Sequence, residues 1–339
     1  LSTLNYQPLG PRRFIRLRLM ITAENVAPAL AVKDSVSLAL LRFFARLPLP
    51  LLQRVGALIG RLVSLSSRSG IYQTVLRNLQ LCYPQQSDAW HQAMVKASLR
   101  STAMTAFEFA KTWGMPPKYS VSQIREVHGE AIFHDALAAG KGIIAIVPHW
   151  GTWEFMNAWI NQYTAPVIMY KPGKQPGVDA LVAEARGRMN ATVVPTDDSG
   201  VRATFKALRK GGFTAILPDH IPGKNGGIFA PFFGLSTWTG VMVPKLAAKT
   251  QCRVIVMGCM RRADGQGFDV YIQPGDPNIN HEDVAISAAA MNASMERFIN
   301  IAPEQYQWSY KRFKRSEHMP DPYRGVGLTY QADHLTSGE

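Results

Sequence analysis

The sequence predicts an α/β fold, a mainly parallel central sheet flanked by helices, preceded by an N-terminal helical segment. Three observations carry this expectation. Before Gly140 the chain carries long helical patterns, over 36–65 and about 88–111. Beyond Gly140, short apolar runs rich in β-branched residues alternate with amphipathic runs at helical spacing. The length of 339 residues allows one large core or two modest ones.

Residues 36–65 are the most apolar stretch, broken only by Arg42, Arg46, Arg54 and Arg61 among charged residues, and Pro48 and Pro50 divide it into two helices. Apolar bulk with arginine and no acid is the composition of a helix pair lying in a membrane interface. A hairpin packed on the protein core is the alternative. A long helix is expected over 88–111. Strands are expected over 142–147, 166–170, 192–194, 213–217, 253–258 and 268–272, and helices over 152–162, 178–189, 200–210, 242–250 and 282–301. The organisation that follows is an N-terminal extension (1–33), interfacial membrane-associating helices (34–68), an α/β domain (69–315) and a polar C-terminal tail (316–339).

Charge and cysteine content narrow the function. Lys and Arg number 37 against 24 Asp and Glu, and the net charge of +13 favours an anionic partner: phospholipid, phosphorylated glycolipid, acidic carrier protein or nucleic acid. Zinc-finger, helix-turn-helix and RNP signatures are absent, which counts against nucleic acid. Cys82, Cys252 and Cys259 form no C-x-x-C pair, so neither a disulfide framework nor a metal site is expected, and a cytoplasmic setting fits. The basic start (Arg12, Arg13, Arg16, Arg18) runs into Glu24, Lys33 and Asp34 and does not read as a cleaved signal peptide. No run of about 18 apolar residues occurs to span a membrane.

The run from Gly142 to Phe155 reads as buried strand, turn at 148–151, then helix, with His149 at the strand's carboxyl end and Glu154 in the first helical turn. A carboxylate there can accept from one imidazole nitrogen, fix the tautomer and leave the other nitrogen to take a proton from a substrate hydroxyl. The spacing alone is weak. Eight His and 24 acidic residues give about half such a pair by chance, and His334 and Glu339 repeat it in the polar tail. The strand in front and the helix behind set His149 apart from a satisfied structural histidine. Asp219 ends another strand, followed by a glycine-rich loop in which Lys224 suits phosphate, although a plain surface turn with an ordinary lysine is the better reading of the loop alone. Lys171, Arg186 and Arg188 near a third strand end suit an anionic group, with ordinary solvated charges as the alternative.

Four separated segments together resemble the bacterial late acyltransferases of lipid A biosynthesis, within the lysophospholipid acyltransferase superfamily. They are Arg77-Asn78-Leu79 with Cys82-Tyr83-Pro84, Pro148-His149 through Glu154 (the His-x4-acid motif), Leu217-Pro218-Asp219 leading to 231–234, and 303–308 leading to 311–314. The likeness covers about residues 34–315. It implies a His149/Glu154 catalytic dyad, with Arg186 and Asp219 as further polar positions of the site. Lys171 stands where the family often has Arg, which keeps the charge and loses the bidentate fork.

The resemblance further implies transfer of a fatty acyl group from an acyl thioester, on acyl carrier protein or coenzyme A, to a hydroxyl of a phosphorylated glycolipid. No cofactor or metal is expected, the thioester being a co-substrate. The implied place is the cytoplasmic face of the bacterial inner membrane, attached through the N-terminal helices to an anionic surface. A relative acting on an aminolipid or lysophospholipid is the alternative. A serine lipase is disfavoured by the absence of a G-x-S-x-G elbow, and a non-enzymatic binding protein leaves the His/acid pair at a strand end unexplained.

Overall fold

The computed structural model describes residues 32–326 apart from Pro172, Lys174 and Gln175. Residues 1–31 of the N-terminal extension, His334, Glu339 and the end of the tail lie outside the described residues. Five helices come first: α1 (Val32–Arg46), α2 (Leu49–Leu65), α3 (Gly70–Cys82), α4 (Asp88–Gly114) and α5 (Pro117–Gln123). The α/β body follows as β1 (Ile124–His128), α6 (Glu130–Ala138), β2 (Ile143–Ile146), α7 (Glu154–Ile160), β3 (Val167–Tyr170), α8 (Pro176–Gly187), β4 (Thr192–Pro195), α9 (Asp198–Arg209) and β5 (Phe213–Ile216). After these come β6 (Gly227–Phe232), β7 (Leu235–Gly240), α10 (Met242–Thr250), β8 (Arg253–Arg261), β9 (Phe268–Pro274) and α11 (Val284–Ile299).

Seven strands form one sheet in the order β1-β9-β8-β2-β5-β3-β4. It is parallel except that β9 runs antiparallel to β8. The parallel pairs follow the alternation seen in the sequence, because each crossover carries a helix that must cover a face. Every residue of β2 is buried, as expected of a central strand covered on both sides. Its side chains divide by the period of two. Ile144 and Ile146 join a core with Val75, Leu79, Val95, Leu99 and Met295 from α3, α4 and α11. Ile143 and Ala145 join the other core with Phe133, Phe155 and Trp159 from α6 and α7.

The expected strands and helices recur with ends moved by a few residues. Several elements were not among those expected: α3, α5, edge strand β1 with α6, and the antiparallel β6–β7 hairpin. The stretch from Ser316, expected as a polar extension, packs on the body as far as it is described. Tyr323 is buried, and its hydroxyl donates to Asn78 Oδ1 while accepting from the Phe313 amide at 3.1 Å.

The N-terminal hairpin packs on the body by one face and leaves the other exposed. Its inner face packs on α4 through Leu52, Gln53, Gly56 and Gly60. A Cβ at Gly60 would lie 2.4 Å from the Arg100 Cα, so the close approach requires glycine. The outer face is apolar and open: Val36, Leu40 and Phe43 on α1 and Leu51, Leu58, Leu62 and Leu65 on α2, with Leu65 79% exposed. Arg42, Arg46, Arg54 and Arg61 are also exposed. Among the described residues no helix is long and apolar enough to cross a membrane.

Candidate active site

The sheet opens at the carboxyl ends of its central parallel strands β2 and β5, where an open α/β sheet binds ligands. From β2 the chain turns through 147–153 before α7 begins. Several backbone bonds hold this turn: Gly151 N–H donates to Gln305 O at 2.9 Å, Thr152 N–H to Cys259 O at 2.8 Å, and Gln307 N–H to His149 O at 2.9 Å. Gly151 has φ of 60° and lies so close to Cys259 that any Cβ would strike its carbonyl. Thr152 is tied from below. Its hydroxyl donates to the fully buried Glu108, which also takes 2.5 and 2.6 Å bonds from Arg261 and a 2.8 Å bond from Gln53. One buried ion pair thus joins α2, α4 and β8 to the turn that carries His149.

His149 Nδ1 lies 2.7 Å from Asp219 Oδ1, and the His149 backbone N–H donates to Asp219 Oδ2 at 2.9 Å. Both carboxylate oxygens are therefore engaged by one residue. Burial of Asp219 works to raise its carboxyl, but the charge and hydrogen bonds of His149, with His220, outweigh this and hold it well below the usual carboxylate range. An ionised Asp219 fixes the proton of neutral His149 on Nδ1 and leaves Nε2 with the lone pair.

The orienting contact differs from the one expected. Glu154 makes no hydrogen bond to His149. Its carboxylate accepts from Asn157 Nδ2 at 3.0 Å and lies 3.8 Å from Arg186 Nη2. The reason is the position of the turn. Glu154 opens α7 on one side of the loop, while Asp219 comes off the neighbouring strand and meets both the ring and the amide of His149. Arg186 stacks over Tyr170 with 4.4 Å from guanidinium to ring centroid, and its Nη1 has no partner.

His149, Glu154, Asn157, Arg186 and His220 line one cavity of about 640 Å³ whose other walls are mostly apolar, including Met156, Ile168, Met169, Leu217, Met242 and Val243. Lys171 and Lys224 are exposed and do not line it. Arg188 also lies off the cavity, where it pairs with Glu184 at 3.6 Å and donates to Trp113 O. Among the described residues no cluster of His, Cys, Asp and Glu is arranged to hold a metal, and all three cysteines are free and buried.

A sequence profile of bacterial lipid A biosynthesis acyltransferases matches residues 25–315. The chain belongs to this family. It is 29% identical over 292 residues to the lipid A biosynthesis lauroyltransferase of Escherichia coli (strain K12), covering 85% of this chain and 94% of that protein. The palmitoleoyltransferase of the same organism is 28% identical over 285 residues, covering 82% and 89%. Its myristoyltransferase is 24% identical over 281 residues, covering 82% and 85%.

The fold brings the four family-like segments together around His149. Asn78 Nδ2 donates to Trp308 O at 2.6 Å and to Tyr310 O at 2.8 Å, so the early helix signature anchors the C-terminal one. Tyr83 packs against Phe233 and Trp308, with centroids 5.4 and 5.8 Å apart. Arg312 is buried and donates to Trp238 O at 2.8 Å and Thr239 Oγ1 at 3.1 Å, joining the β6–β7 hairpin to the same segment. Sequence reasoning missed His220, Gln307 and Tyr310 as neighbours of His149. The Asp-His pair at 219–220 was visible, but nothing local shows which ring it meets.

Proposed function

We propose that this acyltransferase moves a fatty acyl group from an acyl thioester to a hydroxyl of a lipid A precursor, with His149 as general base. The observation that carries the reading is the Asp219–His149 pair at the wall of a largely apolar cavity. In this reaction Nε2 takes the acceptor's hydroxyl proton as its oxygen attacks the thioester carbonyl. The new C–O bond forms, the C–S bond breaks, and the proton returns from His149 to the departing thiolate. No covalent enzyme intermediate is needed. Asp219 holds the tautomer, while Glu154 serves by holding Arg186, whose unpaired Nη1 suits an oxyanion or an acceptor phosphate. The apolar walls suit the acyl chain.

The donor in this reading is acyl carrier protein or acyl-coenzyme A, and a +13 chain suits both these acidic partners and a phosphorylated glycolipid. The exposed apolar face of α1 and α2, edged by arginines, attaches the enzyme to the anionic cytoplasmic face of the inner membrane. Lys171, Arg188 and Lys224, exposed away from the cavity, serve as outer contacts for headgroup or carrier.

The test is transfer by purified enzyme from acyl-carrier and acyl-coenzyme A donors to phosphorylated and dephosphorylated acceptors, together with lipid mass spectrometry of a deletion strain. Loss of one acyl chain from lipid A in the deletion strain is expected. Unchanged lipid A, or near-wild-type turnover in His149→Ala, overturns the reading. Equal rates on dephosphorylated acceptor, unaffected by Arg186→Glu, favour a neutral lipid such as an aminolipid or lysophospholipid.

A further inference from the structure

The His149 ring is part of a stack. His220 lies parallel to it with centroids 3.9 Å apart and an interplanar angle of 1°, and Tyr310 lies on the far side of His220 at 3.9 Å and 16°. Trp153 meets His149 at 4.9 Å and 76°. The stack is fixed from outside. His220 Nε2 lies 3.3 Å from Gln307 Oε1, an acceptor that places the proton on Nε2. The Tyr310 hydroxyl accepts the Ile221 amide at 3.0 Å, and its carbonyl is held by Asn78. Nothing in the catalytic reading above uses His220.

We propose that His220, backed by Tyr310, is a positioning residue that presents a neutral π face to His149 and stabilises the imidazolium formed when His149 takes the acceptor's proton. The inference rests on His149 acting as the base. A cation over an aromatic face within about 6 Å is attracted by the ring quadrupole, most strongly where water is excluded. The arrangement works only if His220 carries no charge, since two imidazolium rings in face contact would repel. Burial first, and then the charge of His149, lowers His220 to about 4, against the opposing pull of Asp219 and Gln307. The groups that face the pair are Asp219, Tyr306, Gln307, Tyr310 and Arg312, with Glu154 and Arg186 in the same cavity. Of these only Asp219 is an anion in contact with His149, so the imidazolium meets a carboxylate at its edge and an uncharged ring on its face.

The experiment compares His220→Asn, which removes the ring and keeps a polar side chain, with His220→Phe, which keeps a π face that cannot titrate. Two quantities are read: the acid limb of the pH profile of kcat/KM, and the NMR titration of the His149 ring in substrate-free protein. In His220→Asn, kcat/KM should fall about tenfold, and both the limb and the ring titration should move to lower pH by about half to one unit. His220→Phe should stay within about threefold and leave both near their wild-type positions. A merely structural role would lower the rate without moving the titration and would not be rescued by Phe. An unmoved or upward-moving titration in His220→Asn, or equal impairment in the two variants, overturns the proposal. Should His220→Asn not fold, Tyr310→Leu carries the same comparison, with a smaller shift in the same direction expected and no shift counting against the stack. If wild-type enzyme shows no acyl transfer, the functional reading fails on that result, while the NMR arm still decides the stack.

Discussion

His149 and Asp219 occupy equivalent points just past the ends of adjacent strands. Ile146 of β2 and Ile216 of β5 are paired in register, and each side chain stands three residues past its isoleucine. The sheet's own register therefore delivers the carboxylate to the imidazole, with the His149 amide as a second point of attachment.

Asp219→Asn tests this pairing. An amide can donate to Nδ1 and trap the tautomer whose Nε2 carries the proton, so kcat should fall by about 10² to 10⁴. Glu154→Gln should act differently. Weakening its hold on Arg186 should raise KM for the phosphorylated acceptor more than it lowers kcat. Steady-state kinetics of the two variants check this, and a kcat loss in Glu154→Gln as large as that in Asp219→Asn would assign Glu154 to the proton transfer itself.

The buried Glu108–Arg261 pair should be a strong stability determinant. Arg261→Met leaves the Glu108 carboxylate buried with only Gln53 and Thr152 as partners, so urea unfolding should show a loss of about 3–5 kcal/mol. The double variant Arg261→Met with Glu108→Gln should recover part of that loss, because no buried charge is then left unmatched.

The two faces of α2 should respond in opposite ways. Gly60→Ala forces a methyl group against the backbone of α4 and should destabilise by about 1–3 kcal/mol, read by thermal or urea unfolding. Replacing Leu58 and Leu62 with Ser should leave stability within about 0.5 kcal/mol and sharply weaken sedimentation with anionic vesicles. Vesicle binding unchanged by that double substitution would place the membrane contact elsewhere.

Acid should destabilise the fold through His220. Its folded-state value is lowered to about 4, below the unfolded value of about 6.5, so the unfolded chain binds the proton first as pH falls. The contribution is fully present above about pH 6.5 and is lost between there and about pH 4, with a slope of at most about 1.4 kcal/mol per pH unit. His220→Phe should flatten this part of the curve. Urea midpoints measured from pH 7 to pH 4 give the comparison.

What the sequence by itself determined is whatever depends on neighbours along the chain. The alternation beyond Gly140 dictated a parallel sheet, because short continuous apolar runs joined by amphipathic helices have few other ways to bury both faces. Pro48 and Pro50 marked the break between α1 and α2, and the strand–turn–helix run placed His149 at a strand's carboxyl end. The tertiary structure decided what depends on which strands lie side by side. His149 and Asp219 are 70 residues apart in sequence, and only the choice of β5 as the neighbour of β2 makes Asp219, and not the nearby Glu154, the partner of the imidazole. The same holds for α2: its composition announced an apolar helix, but the glycines that fit α4 decided which side was buried and left Leu51, Leu58, Leu62 and Leu65 facing outward. Hydrophobic periodicity is local, whereas the pairing of buried charges is set by strand order, which no short stretch of sequence contains.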